Sequence, residues 1–320
     1  MQALLIITQF ISRLARAFAL GTLFLTIVTG PVQAESGRIV VLSGQNLKPY
    51  QDMLTGFQQS LMKQGLTLAI EIHSLQGNPG KAQEVLADVK RNGARLLVTL
   101  GNTATQAAAR EITNVPLLAT MIITPDDIRS SPNATAVLLD FPVETQLQWV
   151  KRFVPGAGSV GVLFNPRENQ DKVSAASKAA KGAGLTLVPR SVETPRALPD
   201  ALDDATRTID VLWGIPDSVV MTPQTAEPIL LSTLRSKIPF IGLSTSWVKA
   251  GALYALDRDY VDIGVQSGEL AGKLLGGTNA SSLPPVYPRK VTYVLNLRTA
   301  GVLNLELPQE LIQGALEVFQ

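Results

Sequence analysis

Along the chain, short apolar runs alternate with segments in which apolar residues recur every three or four positions. Arg38–Leu42 (RIVVL), Leu96–Leu100 (LLVTL), Val115–Ala119 (VPLLA) and Val160–Phe164 (VGVLF) have the length and composition of strands buried on both faces. Residues 66–73 alternate and predict a further strand. Between these runs, residues 49–63 carry Met53, Leu54, Phe57 and Leu61 at helical spacing and close at Gly65. A second helix starts at Asn78-Pro79-Gly80, buries Val85, Leu86 and Val89, and stops at Asn92-Gly93. A third covers Ala104–Glu111. The first half of the chain therefore reads β-α-β-α-β-α-β, the doubly wound pattern.

The clearest unit is residues 95–120, RLLVTLGNTATQAAAREITNVPLLAT: strand, Gly101-Asn102-Thr103 turn, helix, strand. That order is a βαβ unit of a parallel sheet. Its turn lies at the strand's carboxyl end and the helix N-terminus, where open α/β sheets take ligands and free N–H groups favour anions. The same three residues read equally well as a turn with a helix cap. The shape recurs at 208–242, where TIDVLWG is followed by Ile215-Pro216-Asp217-Ser218, a helix over 224–236 and IPFIG. Two such units predict two similar lobes whose turns face one cleft.

The remaining pattern predicts helices over 144–153, 172–183, 198–205 and 261–275, and strands over 186–189, 252–256 and 290–297. Thr124–Asp127 reads as a loop or the start of a short helix, and Ala134–Phe141 as a strand crossing between lobes. Residues 279–288 (NASSLPPVYP) form the clearest linker, and Thr299 opens a small C-terminal subdomain ending in a helix after Pro308. Residues 35–140 with roughly 257–288 are expected to form lobe 1, and 141–256 with roughly 289–320 lobe 2. The fold class expected is α/β, with two doubly wound parallel-sheet lobes joined by a hinge.

Composition narrows the chemistry. Arg13 and Arg16 precede the apolar block 17–28, Gly30-Pro31 breaks it, and Val32-Gln33-Ala34 suits signal peptidase. A signal peptide over 1–34, cleaved after Ala34, is the expectation, with an uncleaved anchor as the alternative because Met1–Ile11 is itself apolar. Removing it takes away two of the 28 basic residues and none of the 26 acidic ones, leaving a formally neutral mature chain. No basic run supports nucleic-acid binding. The absence of cysteine excludes disulfides, thiol catalysis, Cys-ligated metal and a lipid anchor on Cys. The single histidine, His73, sits in a strand pattern, no Gly-x-Ser-x-Gly elbow is present and no metal-ligand spacing exists. The glycine turns lack the P-loop lysine and the dinucleotide fingerprint, so no cofactor is expected.

What remains is a ring of turns at strand carboxyl ends: 43–46 with Gln45, 101–103, 165–169, 214–218 and 244–247. They offer hydroxyls, amides, N–H groups, a few carboxylates and two tryptophans, Trp213 and Trp247, which could stack on a ligand or pack in a core. Asp257 and Asp259 follow a strand end and could face a cleft. The inventory suits a small polar or zwitterionic ligand with an apolar part and contains no nucleophile–base pair.

Seven stretches in order resemble one family: LLVTLGNTATQAA (96–108), VPLLAT (115–120), VGVLFNPRENQ (160–170), VLWGIPDSVV (211–220), IPFIGLSTSWVKAGALYAL (238–256), DYVDIGVQSGELAGKLLGG (259–277) and VLNLRTAGVLNLELPQEL (294–311). Together they resemble the ABC-transporter substrate-binding proteins of the tryptophan/tyrosine type, which have a type I periplasmic-binding fold. The resemblance implies a secreted or periplasmic, non-enzymatic, monomeric protein that closes by a hinge on a small ligand, such as an amino acid, and serves an ABC permease in the inner membrane. It implies that Asn102 and Thr103 hold an anionic group while Glu168, Asn169, Asp217 and Ser218 contact the ligand from the other lobe. This chain departs from the aromatic-binding pattern at Thr124-Pro125, where Asp-Pro is usual, and at Leu243-Ser244-Thr245, where Gly-Asp-Glu is usual. Thr124 and Ser244 then stand where acids would, and Asp217 or Asp257 could replace them. The rival readings are a binding module for a membrane sensor and an exported hydrolase of small substrates.

Overall fold

The computed structural model describes residues 37–320 apart from Gly77 and Pro79, so the expected signal segment over 1–34 lies outside the described residues. Two sheets organise the rest. The first holds β1 (Arg38–Ser43), β2 (Ala69–Ser74), β3 (Leu96–Leu100), β4 (Leu117–Ile122) and β5 (Ala134–Leu138), all parallel, in the order β2-β1-β3-β4-β5. The second holds β6 (Ser159–Phe164), β7 (Thr186–Ser191), β8 (Val211–Trp213), β9 (Phe240–Ile241), β10 (Tyr254–Arg258), β11 (Val291–Asn296) and β12 (Glu317–Phe319), in the order β12-β11-β10-β9-β8-β6-β7. Strands β6 to β10 repeat the order of β1 to β5, so the repeat visible in the sequence is a repeat of topology. Each sheet reverses direction of strand addition at one point, between β1 and β3 and between β6 and β8, and such switch points open a crevice at the strand carboxyl ends. The central strands β3 and β4 are buried at every position, whereas the edge strands β2 and β7 are partly exposed.

The helices are α1 (Lys48–Lys63), α2 (Gly80–Asn92), α3 (Asn102–Glu111), α4 (Val143–Phe153), α5 (Pro166–Gly182), α6 (Leu198–Thr206), α7 (Pro223–Arg235), α8 (Thr245–Ala250), α9 (Tyr260–Leu275), α10 (Leu297–Val302) and α11 (Gln309–Gln313). Helices α5 and α8 differ from the sequence pattern for local reasons. Helix α5 starts at Pro166 rather than Lys172, because the Asn165 side chain accepts the Arg167 N–H at 3.1 Å and Pro166 is pre-shaped for the first turn. Its first turns bury only Asn169, so no apolar periodicity announced them. Helix α8 is short and buries only Val248, which left it unread. After α11 the chain does not end in a helix or a separate subdomain: β12 adds in parallel to β11 at the edge of the second sheet, and β11 itself runs antiparallel to β10.

The chain passes between the sheets at three places: after β5, after β10 and after the segment 279–288. That last segment is not free of structure. Val286 exchanges backbone hydrogen bonds with Ala136 and Leu138 at 2.9 Å and so forms a bridge beside β5. The third crossing is clamped to α9: Arg289 places its guanidinium on Asp262 at 3.0 Å and on Glu269 at 3.1 Å, and the Lys290 ammonium lies 3.1 Å from Asp259.

Helix α9 follows β10 of the second sheet yet packs on α1 of the first. The contact is made backbone to backbone. A Cβ on Gly56 would collide with the Val261 carbonyl oxygen, and one on Gly264 with the Met53 carbonyl oxygen. Around this seam Met53, Phe57 and Leu61 meet Ile263, Leu270 and Leu274.

Gly264→Ala tests the seam by setting two effects against each other. Helix propensity favours alanine by about 1 kcal/mol, whereas a Cβ pressed onto backbone that cannot rotate away costs about 1–3 kcal/mol or more. Net destabilisation is expected in urea unfolding; a more stable variant would mean the helices stand further apart.

Asp259 caps α9, accepting the Asp262 N–H at 2.9 Å. Burial raises its acidity constant's exponent, but the Asp262 N–H and the Lys290 ammonium outweigh it and hold the carboxyl below its ordinary pKa. A depressed folded pKa gives stability that is present above the unfolded value of about 3.9 and lost as pH falls through the folded one. Asp259→Asn keeps the capping oxygen and removes the charge. Its melting temperature should fall below the parent's at pH 7, and the gap should close as pH drops below about 4.

Candidate ligand-binding cleft

At the second sheet's switch point, the turn after β8 and the start of α5 are joined by one carboxylate. Asp217, 6% exposed, accepts the Asn165 N–H at 2.7 Å and the Asn169 amide at 2.9 Å on one oxygen. Its other oxygen accepts the Val219 and Val220 N–H groups, both at 2.9 Å. All four lone-pair directions of the carboxylate are thus taken by the protein. Beside it, Glu168 accepts the Ser218 N–H at 2.9 Å and the Ser218 hydroxyl at 2.7 Å, and the Asn169 amide also donates to the Pro216 carbonyl at 3.0 Å. The crevice where an α/β sheet would bind an external anion here holds an internal one.

The first sheet's switch point is different. Gly101, at φ +88°, precedes α3 and has no side chain with which to cap it, so the N–H groups of the first turn have no partner of that kind. A Cβ at Gly101 would meet the Tyr50 hydroxyl at 2.7 Å, so glycine here serves both the left-handed turn and the tyrosine's approach. Asn102 and Thr103 are exposed. Gln45, in the turn after β1, is also exposed, and its carbonyl accepts the Ser43 hydroxyl at 2.6 Å.

Where the crossings meet the sheets lies a cavity of about 230 Å³. Ile123 borders it from the bend after β4, Leu139, Asp140 and Phe141 from the first crossing, Trp213 and Ile241 from the second sheet, and Gly214 from the turn after β8. Strand alternation builds another wall: Tyr254, Leu256 and Arg258 line the cavity, and Asp257 between them does not. Trp213 is fixed by its indole N–H, which donates to Gln146 Oε1 at 3.1 Å. The Gln146 amide in turn donates to Asp140 at 3.0 Å and to the Phe141 carbonyl at 2.8 Å. Asp140 pairs with Lys172 of α5 at 2.7 Å, tying the first crossing to the second lobe. Arg258 Nε donates to the Leu139 carbonyl at 2.5 Å, and its guanidinium carbon stands 5.2 Å from the centre of the Phe141 ring. Tyr254 is fully buried, stacked on Phe153 at 3.9 Å, and burial drives its phenol far above the ordinary pKa. Its hydroxyl has no hydrogen-bond partner among the described residues.

Compared with known families, residues 39–319 match the model of the ABC transporter substrate binding protein. The chain belongs to this family. A curated tyrosine-binding protein of Clostridioides difficile (strain R20291) is 22% identical over 254 residues, covering 76% of this chain and 73% of the relative. Among solved structures, a ligand-free, open substrate-binding protein with adhesive properties from Clostridium difficile is 21% identical, with a TM-score of 0.73 over 89% of this chain and 99% of that one. An ABC domain in complex with L-Trp from Streptococcus pneumonia is 22% identical, with a TM-score of 0.60 over 89% of this chain and 100% of that one. Both share the two-lobed α/β fold. The family consists of solute-binding proteins rather than enzymes.

In this substrate-binding chain, Gln45, Asn102, Thr103, Thr124, Glu168, Asn169, Asp217, Ser218, Ser244 and Asp257 do not line the cavity at the crossings, whereas Trp213 does. Glu168, Asn169, Asp217 and Ser218 are brought together, but largely bond one another. Thr124 caps the 3-10 turn Pro125–Ile128 by accepting the Asp126 N–H at 3.3 Å. Ser244 is exposed and precedes α8 without a side-chain cap bond. Asp257 accepts its neighbour's N–H, that of Arg258, at 2.8 Å and faces away from the cavity. Trp247 packs edge-on against Phe240 at 5.5 Å as part of a core, leaving Trp213 as the cavity tryptophan. Tyr254, Arg258, Phe141, Asp140 and Gln146 carry no turn signal in the sequence, because they lie on a strand face, on the first crossing and on α4. The alternation in Tyr254–Arg258 (YALDR) carried the missing signal, since it sets 254, 256 and 258 on one face.

Asp217→Ala should lower stability in urea unfolding by about 2–4 kcal/mol, because it leaves several buried donors without an acceptor. An unaffected unfolding midpoint would show that these groups find water instead.

Proposed function

We propose that this protein is the extracytoplasmic solute-binding component of an ABC importer. It holds a small molecule between its two lobes, closes on it by movement at the crossings, and presents it to a membrane permease. The observation that carries this reading is the cavity at the crossings, whose walls come from the second sheet, from the bend after β4 of the first and from the segments that join the two. A ligand seated there touches the parts that must rearrange for the lobes to change angle, and that is how occupancy favours one arrangement over another. The volume, about 230 Å³, lies below the roughly 300–1,000 Å³ of pockets for drug-sized ligands and suits a molecule of amino-acid size. The exposed first turn of α3, with Asn102 and Thr103, and Gln45 beside it offer polar contacts from the first lobe. Ser218 and Glu168 do so from the second.

Residues 1–34 act as a signal peptide in this reading, with the mature protein starting at Glu35. Among the described residues no helix is long and apolar enough to cross a membrane.

Thermal-shift screening against amino acids, sugars, nucleosides and small carboxylates tests the proposal. A true ligand at 100 times its dissociation constant stabilises the folded state by about 2.7 kcal/mol, and small-angle scattering should then report a smaller radius of gyration. A ligand that stabilises without compaction would argue against closure, and absence of any hit across these classes would count against the solute-binding reading.

A further inference from the structure

The polar groups on the cavity wall are unequally committed. Asp140 is the only carboxylate among its described lining residues, and it is already spent. One oxygen accepts the Phe141 N–H and the Gln146 amide, each at 3.0 Å, and the other holds the Lys172 ammonium at 2.7 Å. Asp217 is closed by four donors and Asp257 lies on the opposite face of β10. Arg258 is the reverse case. Only its Nε is engaged, on the Leu139 carbonyl, and its guanidinium carbon lies over the Phe141 ring at 5.2 Å from the ring centre. Its two terminal nitrogens have no hydrogen-bond partner among the described residues. A planar cation held in place with its paired donors uncommitted matches a carboxylate in two-pronged geometry.

A second observation points the same way. Tyr254 lines the same cavity, and its hydroxyl is buried and has no hydrogen-bond partner among the described residues. An unpaired buried hydroxyl costs free energy in the empty protein, and an acceptor on a bound molecule removes that cost. The rest of the wall is apolar, with Leu139, Phe141, Trp213, Ile241 and Leu256.

Resting on the solute-binding reading above, we infer that the hinge cavity selects a small carboxylate with an apolar, ring-sized body, anchored by Arg258 and contacted by the Tyr254 hydroxyl, and that it disfavours the corresponding amino acid. An amino acid brings an ammonium group into the same space, where no acceptor carboxylate is free. Desolvating that charge without a partner opposes binding.

Calorimetric titration of the purified protein with matched pairs tests this: 3-phenylpropanoate against phenylalanine, indole-3-propanoate against tryptophan, and 2-phenylethylamine as the ammonium without the carboxylate. The acids are expected to bind at least tenfold more tightly than their amino acids, and the amine not at all. Arg258→Gln should weaken the acids on the order of 10- to 100-fold, and Arg258→Lys, which keeps the charge without the fork, by less. Tyr254→Phe removes only the hydroxyl. It should weaken the acids by about 2- to 10-fold while leaving the melting temperature of the ligand-free protein unchanged or higher. If amino acids bind and the acids do not, the inference is overturned and the solute-binding role stands. Binding of neither class overturns the inference, and only silence across all ligand classes overturns the role too. Unchanged affinity in Arg258→Gln, with the acids still bound, would move the carboxylate to the first turn of α3 and overturn the assignment to Arg258.

Discussion

The close approach of α1 and α9 decides the layout of the molecule. Gly56 and Gly264 let two backbones touch where any side chain would collide with a carbonyl oxygen. Because α9 comes directly after β10, that contact draws the chain out of the second sheet and back to the first. The return then obliges the chain to cross again to reach β11. Two of the three crossings, and with them Arg258 on one wall of the cavity and the Arg289 clamp on α9, follow from one helix being allowed near another.

The two lobes repeat a topology but handle their switch points in opposite ways. The second fills its crevice with Asp217 and Glu168, so its turns are rigid and electrostatically closed. The first leaves the opening turn of α3 bare behind Gly101. The strand carboxyl ends therefore differ: the carboxylates of the second lobe have their acceptor sites taken by neutral donors of that lobe, whereas the first lobe keeps an uncapped helix turn. Near the lobes' junction, Arg258 keeps donors that no described residue accepts.

Much of the fold was legible because it rests on burial. Runs such as Leu96–Leu100 are wholly buried and read as such, and the repeated βαβ pattern of 95–120 and 208–242 became a repeated strand order. What could not be read from burial was misjudged. The start of α5 is set by an Asn165 cap and Pro166, and α8 by a single buried valine, neither of which produces a period. The cavity was missed for a different reason. Asp217 looks, as a residue type in a turn, like a free acid. Only the donors converging on it from Asn165, Asn169, Val219 and Val220 show that it is occupied, and those come from turns about fifty residues apart. Whether a polar group is available depends on its partners, and partners are a property of the fold.

The layout also governs the order in which the structure can form. The core of the first sheet contains Ile263, Leu270, Leu274 and Ala280, and that of the second contains Tyr293, Leu295, Ala300 and Leu311. On these faces neither core can close until the final stretch of the chain is present, although the strands at the heart of each lie far upstream. Contacts across such separations must overcome loop-closure entropy before they return any stability. Folding is then late and shared, with both lobes waiting on the same C-terminal segment. A chain cut short before α9 carries two unfinished cores rather than one finished lobe.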